Sequence, residues 1–358
     1  MTQAKREQDF LSIIRLGIGH AVLILPDNLD WPELKALAEE HGLLGVMIDG
    51  IERMPEDIRP PKHLLLEWIG EVLQGYEHRY VCYQSAISEL ASVYNSNGFK
   101  MMVLKGYACS LNWPKPEHRP CGDIDIWLFG KQKEADVLLA NIKGIKVDNS
   151  HHHHTVFDWD GFMVENHYDF INVHHHKSNV EFEELLKDLG QDNSYTVDIR
   201  GEKVYLPSPN LHALFLLKHL MLHFASENIT IRQILDWAFY VKTKTNDIDW
   251  QWLLNILEKY GMIQMFHIFN AICVEDLGFG ANLFPSIQFN PFIKERVLND
   301  ILNPEFDEQK PDGILKRILF RFRRWRSNGW KHKLCYNESL WGAFCSGVWN
   351  HILKPSSI

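Results

Sequence analysis

The alternation of acidic and apolar side chains in Gly122-Asp123-Ile124-Asp125-Ile126 constrains the fold of this chain more than any other feature. A period of two is typical of a β-strand, in which successive side chains point to opposite faces of the sheet. Ile124 and Ile126 should therefore face a core. Asp123 and Asp125 should share the other face, about 6–7 Å apart along the strand. The segment predicts a strand with one apolar face and one acidic face.

Two carboxylates on one strand face, next to the small residue Gly122, are suited to hold divalent cations. Mg²⁺ in proteins takes one or two carboxylates together with substrate phosphates. A pair of such ions about 3.5–4 Å apart stabilises both the attacking and the leaving oxygen of a phosphoryl displacement. Because ordinary surface strands also carry Asp-x-Asp pairs, the surrounding residues matter. Lys105 and Gly106 precede the pair, Arg119 lies shortly before it, and Glu165 follows on a later predicted strand.

Strand-length apolar runs and helical segments alternate between residues 99 and 206, which predicts an α+β unit. In order, these are strands at 101–104 and 124–129, a helix at 131–142 and a strand at 162–170. The flanking sequence has helical periodicity, with Asn97-Gly98 as a helix stop and Ser208-Pro209 as a helix start. We therefore expect a helical region at 1–98, an α+β core at 99–206 and a second helical region at 207–358.

The strand predicted at 162–170 carries a second set of polar side chains. Glu165, His167 and Asp169 share one face, and apolar residues alternate with them. Glu165 and Asp169 are alternative candidates for a third carboxylate beside the Asp-x-Asp pair. His167 is placed to hydrogen-bond Glu165, and a purely structural role for it stays open.

Several motifs resemble a known family. They are Leu-Lys-Gly at 104–106, Arg-Pro-x-Gly-Asp-Ile-Asp at 119–125 and Glu-x-His at 165–167, followed by the helical segment 211–241. This combination resembles a bacterial nucleotidyltransferase family, labelled uncharacterised, of the DNA polymerase β-like superfamily. The resemblance implies a small mixed sheet flanked by helices. It also implies transfer of a nucleoside monophosphate from an NTP to a hydroxyl or phosphate acceptor.

The resemblance further implies roles for single residues. Asp123, Asp125 and Glu165 match the carboxylates that bind Mg²⁺ or Mn²⁺, and Glu165 would help to deprotonate the acceptor. Gly106 matches a helix-start glycine whose neighbouring backbone N–H groups receive triphosphate oxygens. The full set of expected substrate-binding residues is Lys105, Gly106, Arg119 and Gly122 for the nucleotide, and His167, His219, His223 and Arg232 beside the acceptor.

Two alternative functions stay open. Lys105-Gly106-Tyr107 stands where the superfamily usually has Gly-Ser, which motivates a non-catalytic module that keeps the fold and binds a nucleotide or a partner. The runs His151–His154 and His174–His176 motivate a histidine-rich metal hydrolase, because imidazole is a common transition-metal ligand. Loop histidines that flank the acidic site are the simpler interpretation of both runs.

Two further features are compatible with more than one role. His219 and His223 are one helical turn apart, which is compatible with a metal pair, one wall of an acceptor pocket or a helix-packing contact. Arg232 is spaced to pair with Asp236.

The segment 315–333 is rich in Lys and Arg, lacks acidic residues and has an apolar stripe at helical spacing. It predicts a helix packed on the acidic body, an amphipathic helix on an anionic membrane surface or an RNA contact. The aromatic-rich residues that follow, 340–352, are predicted to be core.

Composition excludes several classes of protein. The 358 residues are 46% hydrophobic and 23% charged, with a net charge of −9 and a mean hydropathy of −0.22. These values argue against a disordered, collagen-like or membrane-spanning chain, and against nucleic-acid binding over the whole surface.

The six cysteines form no C-x-x-C pair, so reduced thiols are expected. The N-terminal segment is a poor signal peptide, and we expect a cytoplasmic location.

Overall fold

The computed structural model describes residues 3–21, 28–151, 153–173, 176, 178–306, 308, 311–336, 339 and 341. Its α-helices in chain order are α1 (Gln3–Gly17), α2 (Trp31–Glu40), α3 (Leu44–Glu52), α4 (Lys62–Val72), α5 (Arg79–Ser96), α6 (Lys105–Ser110), α7 (Gln132–Lys143), α8 (Ser178–Gly190), α9 (Pro209–Ser226), α10 (Ile231–Lys244), α11 (Trp250–Lys259), α12 (Ile263–Ala271), α13 (Pro291–Leu302), α14 (Ile314–Ser327) and α15 (Gly329–Cys335). Its β-strands are β1 (Met102–Val103), β2 (Ile124–Trp127), β3 (His154–Trp159), β4 (Phe162–His167), β5 (Thr196–Ile199) and β6 (Glu202–Tyr205). π-helical turns follow α4 at Leu73–His78 and α12 at Ile272–Asp276.

The strands form one mixed sheet in the order β3-β4-β2-β1-β6-β5. β2 runs parallel to β4, and β1 runs parallel to β6, whereas β1–β2, β3–β4 and β5–β6 are antiparallel. The α+β fold class expected from the sequence, a small mixed sheet with helices, is confirmed.

Two-residue turns make the hairpins at both edges of the sheet. Asp160-Gly161 joins β3 to β4, and Arg200-Gly201 joins β5 to β6, with all four residues at positive φ. Positive φ at both central positions is the geometry of a tight hairpin turn, and it favours glycine at the second of them. Each turn therefore determines the register of its hairpin, with Trp159 opposite Phe162 and Ile199 opposite Glu202.

One face of the sheet is the core of its unit. Ile124 and Ile126 of β2 and Val164 of β4 are at most 1% exposed and pack in one cluster with residues of α5 and α7. The helices contribute large side chains, such as Tyr83 and Leu90 of α5. Because these apolar residues occupy one face, the alternating residues of the same strands point to the other. The predicted strand is observed at Ile124–Trp127 with its apolar face in the core, and Gly122 and Asp123 lie just before it instead of within it.

The chain divides into two compact units that follow packing rather than chain order. One unit contains the described residues of Met1–Glu77, Trp113–Pro120 and Leu217–Asn337, and the other contains those of His78–Asn112, Cys121–Leu216 and Glu338–Ile358. The second unit holds the whole sheet and also α5, because α5 packs in the sheet core. This grouping differs from the three consecutive regions expected, whose boundaries stay a prediction.

The first unit is built from helices. In it, α1 and α3 approach closely at a pair of glycines: a Cβ at Gly17 would lie 2.1 Å from the carbonyl oxygen of Val46, and one at Gly50 would lie 2.3 Å from that of Ile13. Among the described residues, no helix is both long and apolar enough to cross a bilayer. The cysteines that the structure describes form no disulfide.

Local signals in the sequence locate most element ends. α5 stops at Ser96, and Gly98 follows with φ +77°, as Asn97-Gly98 predicts. α9 begins at Pro209, directly after Ser208. β4 ends at His167, earlier than expected, because the backbone N–H groups of the next two residues both donate to the carbonyl of His153 at 3.1 Å. Asp169 consequently lies beyond the strand.

Candidate active site

The register of two parallel strands brings Asp125 and Glu165 together. Asp125 of β2 is paired with Glu165 of β4, and Trp127 is paired with His167. Paired side chains on neighbouring parallel strands, about 4.8 Å apart, point to the same face of the sheet. Ligand atoms of Asp125, Glu165 and His167 accordingly lie within 4.8 Å of one another. Two of the three predicted metal-binding carboxylates are therefore neighbours.

Lys105 places a cation on this carboxylate pair. The backbone N–H of Leu104 donates to the carbonyl of Asp125 at 2.9 Å, so that α6 begins beside β2. The Lys105 Nζ then lies 2.6 Å from Asp125 Oδ1. Burial by itself would lower the pKa of Lys105, but the carboxylates of Asp125 and Glu165 outweigh it and raise the pKa. Lys105 is therefore a buried, charged partner of the acidic face.

His167 is a second cationic partner. Its Nε2 lies 3.0 Å from Asp125 Oδ1 and 3.4 Å from Glu165 Oε2, and its Nδ1 lies 3.2 Å from the backbone carbonyl of Asp169. Both ring nitrogens thus face acceptors, and only an imidazolium can donate to both. Burial lowers the pKa of His167, but the hydrogen bonds with Asp125 and Glu165 outweigh it, so that the pKa is raised.

The three carboxylates differ in their protonation equilibria. Burial opposes ionisation of Asp125 and Glu165, but Lys105 and His167 reverse this effect and hold the pKa of both residues below its usual value. The pKa of Asp123 is instead raised, by burial and by the negative charge of Asp125. A divalent cation relieves such repulsion among carboxylates. The oxygen donors of Asp123, Asp125 and Glu165 therefore fit Mg²⁺ or Mn²⁺ in chemical type.

The two glycines of the predicted nucleotide site have different surroundings. Gly106 lies in the first turn of α6, as expected, and a Cβ there would be 2.6 Å from the hydroxyl of Tyr83. Gly122 is exposed, and a Cβ there would meet nothing within 4 Å. Packing therefore requires glycine at 106 but not at 122.

Asp169, the alternative third carboxylate, has other partners. It binds the ammonium of Lys187 and belongs to neither group of metal-ligand atoms found among the described residues. Nearby, the Glu183 carboxylate accepts the backbone N–H groups of Phe170 and Ile171 at 2.9 and 3.0 Å. Glu183 thus holds the chain just after β4, and Glu165 is the carboxylate that reaches Asp125.

Arg119 belongs to the helical unit, where it forms a buried ion pair. Its Nε and Nη2 donate to Oδ1 and Oδ2 of Asp236 at 2.7 and 2.9 Å, and Trp113 Nε1 also donates to Oδ1 at 2.9 Å. Arg232 lies 3.7 Å from the same carboxylate, which confirms the expected pairing one helical turn apart. The predicted contacts of Arg119 and Arg232 with substrate stay predictions.

The predicted histidine pair and the basic segment both lie on helices of the helical unit. His219 and His223 lie on α9 with ring centroids 4.3 Å apart, and His223 Nδ1 is 3.4 Å from Glu227 Oε2. The basic segment forms α14 and α15, and on α14 Ile318 and Leu319 are more than half exposed. Of residues 340–352 the structure describes only Trp341, which is 64% exposed, so the prediction of a core position is wrong for this residue. The roles predicted for the basic segment stay predictions.

Two histidines that sequence reasoning left in a loop join the acidic face. His154 is paired with His167 across the β3–β4 hairpin. Its Nδ1 is 3.7 Å from Glu165 Oε2, and His153 lies beside it with ring centroids 4.3 Å apart. The Asp160-Gly161 turn is the sequence signal that locates these histidines. If Trp159 and Phe162 are paired beside a two-residue turn, pairing the residues of the two strands one by one away from the turn places His154 opposite His167. His152, His174 and His175 lie outside the described residues.

Comparison with known proteins identifies the family. The chain is similar to an antigenic nucleotidyltransferase-like protein from Paracoccidioides brasiliensis, with 18% identity and a TM-score of 0.33, over 49% of this chain and 87% of that protein. No curated protein matches the chain. The sequence profile of the family described as Uncharacterised nucleotidyltransferase matches residues 27–278, well over half of the chain. The chain therefore belongs to this uncharacterised nucleotidyltransferase family.

Proposed function

We propose that this protein transfers a nucleoside monophosphate from an NTP to a hydroxyl or phosphate acceptor, in a metal-dependent reaction on a polymerase β-like core. The pairing of Asp125 with Glu165 on adjacent parallel strands is the observation that carries the proposal. It provides two ionised carboxylates on one face of a rigid sheet, with Asp123 and Lys105 next to them. Membership of a nucleotidyltransferase family agrees with this chemistry.

The residues of the site have distinct tasks in this proposal. Asp123, Asp125 and Glu165 would hold Mg²⁺ or Mn²⁺, which when bound neutralises charge on the reacting phosphate oxygens. Lys105 donates to a triphosphate oxygen, and Glu165 accepts the proton of the acceptor. The acceptor oxygen forms a bond to the α-phosphorus as the bond from this phosphorus to the pyrophosphate oxygen breaks, and pyrophosphate leaves with that electron pair. His167 keeps Asp125 ionised and oriented.

One observation favours a second candidate, a nucleotide-binding module without transferase activity. Lys105 and His167 both contact the same oxygen, Asp125 Oδ1. Charges that compensate each other so fully can form a stable structural network, and such a network does not by itself require a metal. The two candidates differ in whether a product is formed, and not in whether an NTP binds.

Binding and turnover measured together separate the candidates. We would titrate each NTP by calorimetry with and without Mg²⁺, and then follow transfer of an α-³²P label from the NTP that binds to protein, RNA and small-molecule acceptors. Asp125→Asn should abolish metal-dependent binding and transfer. Asp158→Asn, an exposed aspartate of β3, is the matched control and should leave both intact. Tight binding without product under any metal supports the binding module, and full activity of Asp125→Asn contradicts the proposed site.

A further inference from the structure

A group of imidazoles lies beside the carboxylates on the same face of the sheet. Ligand atoms of His153, His154 and His167 lie within 4.8 Å of one another. The ring centroids of His153 and His154 are 4.3 Å apart, and that of His167 is 5.7 and 5.3 Å from them. Because β3 and β4 are joined by a tight turn, the pairing of His154 with His167 is a rigid feature of the hairpin.

Two ring nitrogens of this group have no hydrogen-bond partner among the described residues. They are Nδ1 of His153 and Nδ1 of His154, and both atoms are buried. His154 as a whole is only 6% exposed. A buried polar atom without a partner is destabilising, and native structures rarely contain one without a physical reason. A ligand that accepts an imidazole lone pair would account for both nitrogens.

Glu165 brings a carboxylate to the imidazole group, and the neighbouring cation Lys105 is paired with Asp125. Glu165 Oε2 lies 3.7 Å from His154 Nδ1 and 3.4 Å from His167 Nε2, and it provides negative charge next to the rings.

The donor type distinguishes this group from the proposed magnesium site. Mg²⁺ prefers oxygen ligands, whereas imidazole nitrogens suit zinc and similar transition metals. Zinc binds imidazole nitrogens at about 2.0–2.1 Å in a tetrahedral arrangement, so that its ligand atoms are about 3.4 Å apart. The ligand atoms of the three histidines lie within 4.8 Å of one another, so they would have to move closer together to reach that separation.

We propose that His153, His154 and His167 bind one divalent transition-metal ion of the zinc type, with Glu165 as the adjacent carboxylate. His167 coordinates as the neutral imidazole and releases its proton to the solvent, as metal ligands in general must. The site shares the face of the sheet with Asp125 and has Glu165 in common with the proposed magnesium site, but its ligands are imidazole nitrogens. It does not depend on the proposed transferase activity.

The test is metal binding by the full-length chain, expressed without a histidine tag and freed of metal by chelation. Co²⁺, whose visible absorption reports imidazole coordination, would be titrated first and then displaced by Zn²⁺. We expect one Co²⁺ per chain, displaced by Zn²⁺ and not by Mg²⁺. The double variant His153→Asn/His154→Asn should lose affinity by about 100-fold or more. The single variant His153→Asn, at a half-buried position, should fold and still lose about tenfold.

Three control variants locate the ion. His151→Asn, an exposed member of the same run, and His223→Asn, in the pair on α9, should leave the Co²⁺ spectrum unchanged. Asp123→Asn should keep the spectrum even if it abolishes NTP-dependent Mg²⁺ binding, which separates this inference from the proposed function. Absence of a Co²⁺ spectrum in the wild type, equal affinity in the folded double variant, or loss of the spectrum in His223→Asn would each overturn the proposal.

Discussion

The phenol of Tyr83 donates a hydrogen bond of 2.7 Å to the backbone carbonyl of Asp123, and it does so where the backbone of Gly106 passes close to that hydroxyl. This hydrogen bond ties α5 to the residue that immediately precedes β2. It follows that Gly106, expected from the sequence to approach phosphate, also has a packing role. Its absent side chain leaves the space in which Tyr83 holds the acidic strand.

Gly106→Ala should therefore destabilise the protein through a steric clash. The new Cβ would lie 2.6 Å from the Tyr83 hydroxyl, and overpacking of this kind costs about 1–3 kcal/mol in the free energy of unfolding. Urea denaturation measures the loss. Tyr83→Phe removes the hydroxyl, so the double variant should lose less than the sum of the two single variants.

Gly122→Ala is the matched control for this experiment, because a Cβ at Gly122 meets nothing within 4 Å. It should change the free energy of unfolding by less than about 0.5 kcal/mol. If Gly106→Ala were equally harmless, the assigned clash would not exist in the protein.

Glu183 should make stability depend on pH. Burial raises the pKa of Glu183 from its usual 4.5 to about 7, and the backbone N–H groups of Phe170 and Ile171 offset only part of this effect. Because the pKa is higher in the folded state, the favourable contribution of the protonated acid is complete below pH 4.5 and is lost as the pH rises through 7.

Glu183→Gln removes this dependence. The variant should gain stability relative to the wild type between pH 5 and pH 8, by up to about 3 kcal/mol at 1.36 kcal/mol per pKa unit. Chemical denaturation gives the free energy of unfolding of both proteins at pH 5 and at pH 8. If the variant and the wild type differed by the same free energy at both pH values, the raised pKa of Glu183 would be contradicted.

The ion pair of Arg119 with Asp236 should contribute much more to stability than that of Arg232. Arg119 donates two hydrogen bonds to a buried carboxylate, whereas Arg232 is partly exposed and lies 3.7 Å from the same carboxylate. Arg119→Gln leaves the buried Asp236 carboxylate without its two charged hydrogen bonds and should lower the free energy of unfolding by about 3–5 kcal/mol. Arg232→Gln should cost about 0.5 kcal/mol or less. Thermal or urea denaturation ranks the two variants, and equal losses would show that the buried pair is not formed as described.

Lys105→Gln tests the nucleotide contact of the proposed function. Loss of one charged donor to a triphosphate oxygen should weaken NTP binding by about 10- to 100-fold. Calorimetric titration with NTP measures the change, and circular dichroism checks that the variant folds when Asp125 has lost its lysine partner. Lys203→Gln, an exposed lysine of β6, should bind normally. Unchanged affinity of Lys105→Gln would remove Lys105 from the nucleotide site.

Local patterns were sufficient for much of the fold. The alternation at 122–126 identified β2 and its two faces, and Asn97-Gly98 and Ser208-Pro209 located a helix end and a helix start. Such signals work because helix caps and strand faces depend on side chains only a few residues apart. The family motifs are equally local, and they led to the family that the sequence profile confirms.

Pairing between distant segments could not be read in this way. Asp125 meets Glu165 because β2 and β4 pair in one register, and a shift of one residue would turn Glu165 to the other face. The end of β4 at His167, and with it the exclusion of Asp169, depends on backbone hydrogen bonds to His153. These choices reflect the packing of the whole sheet. The residue types of the site therefore follow from sequence, and their neighbours follow from the tertiary structure.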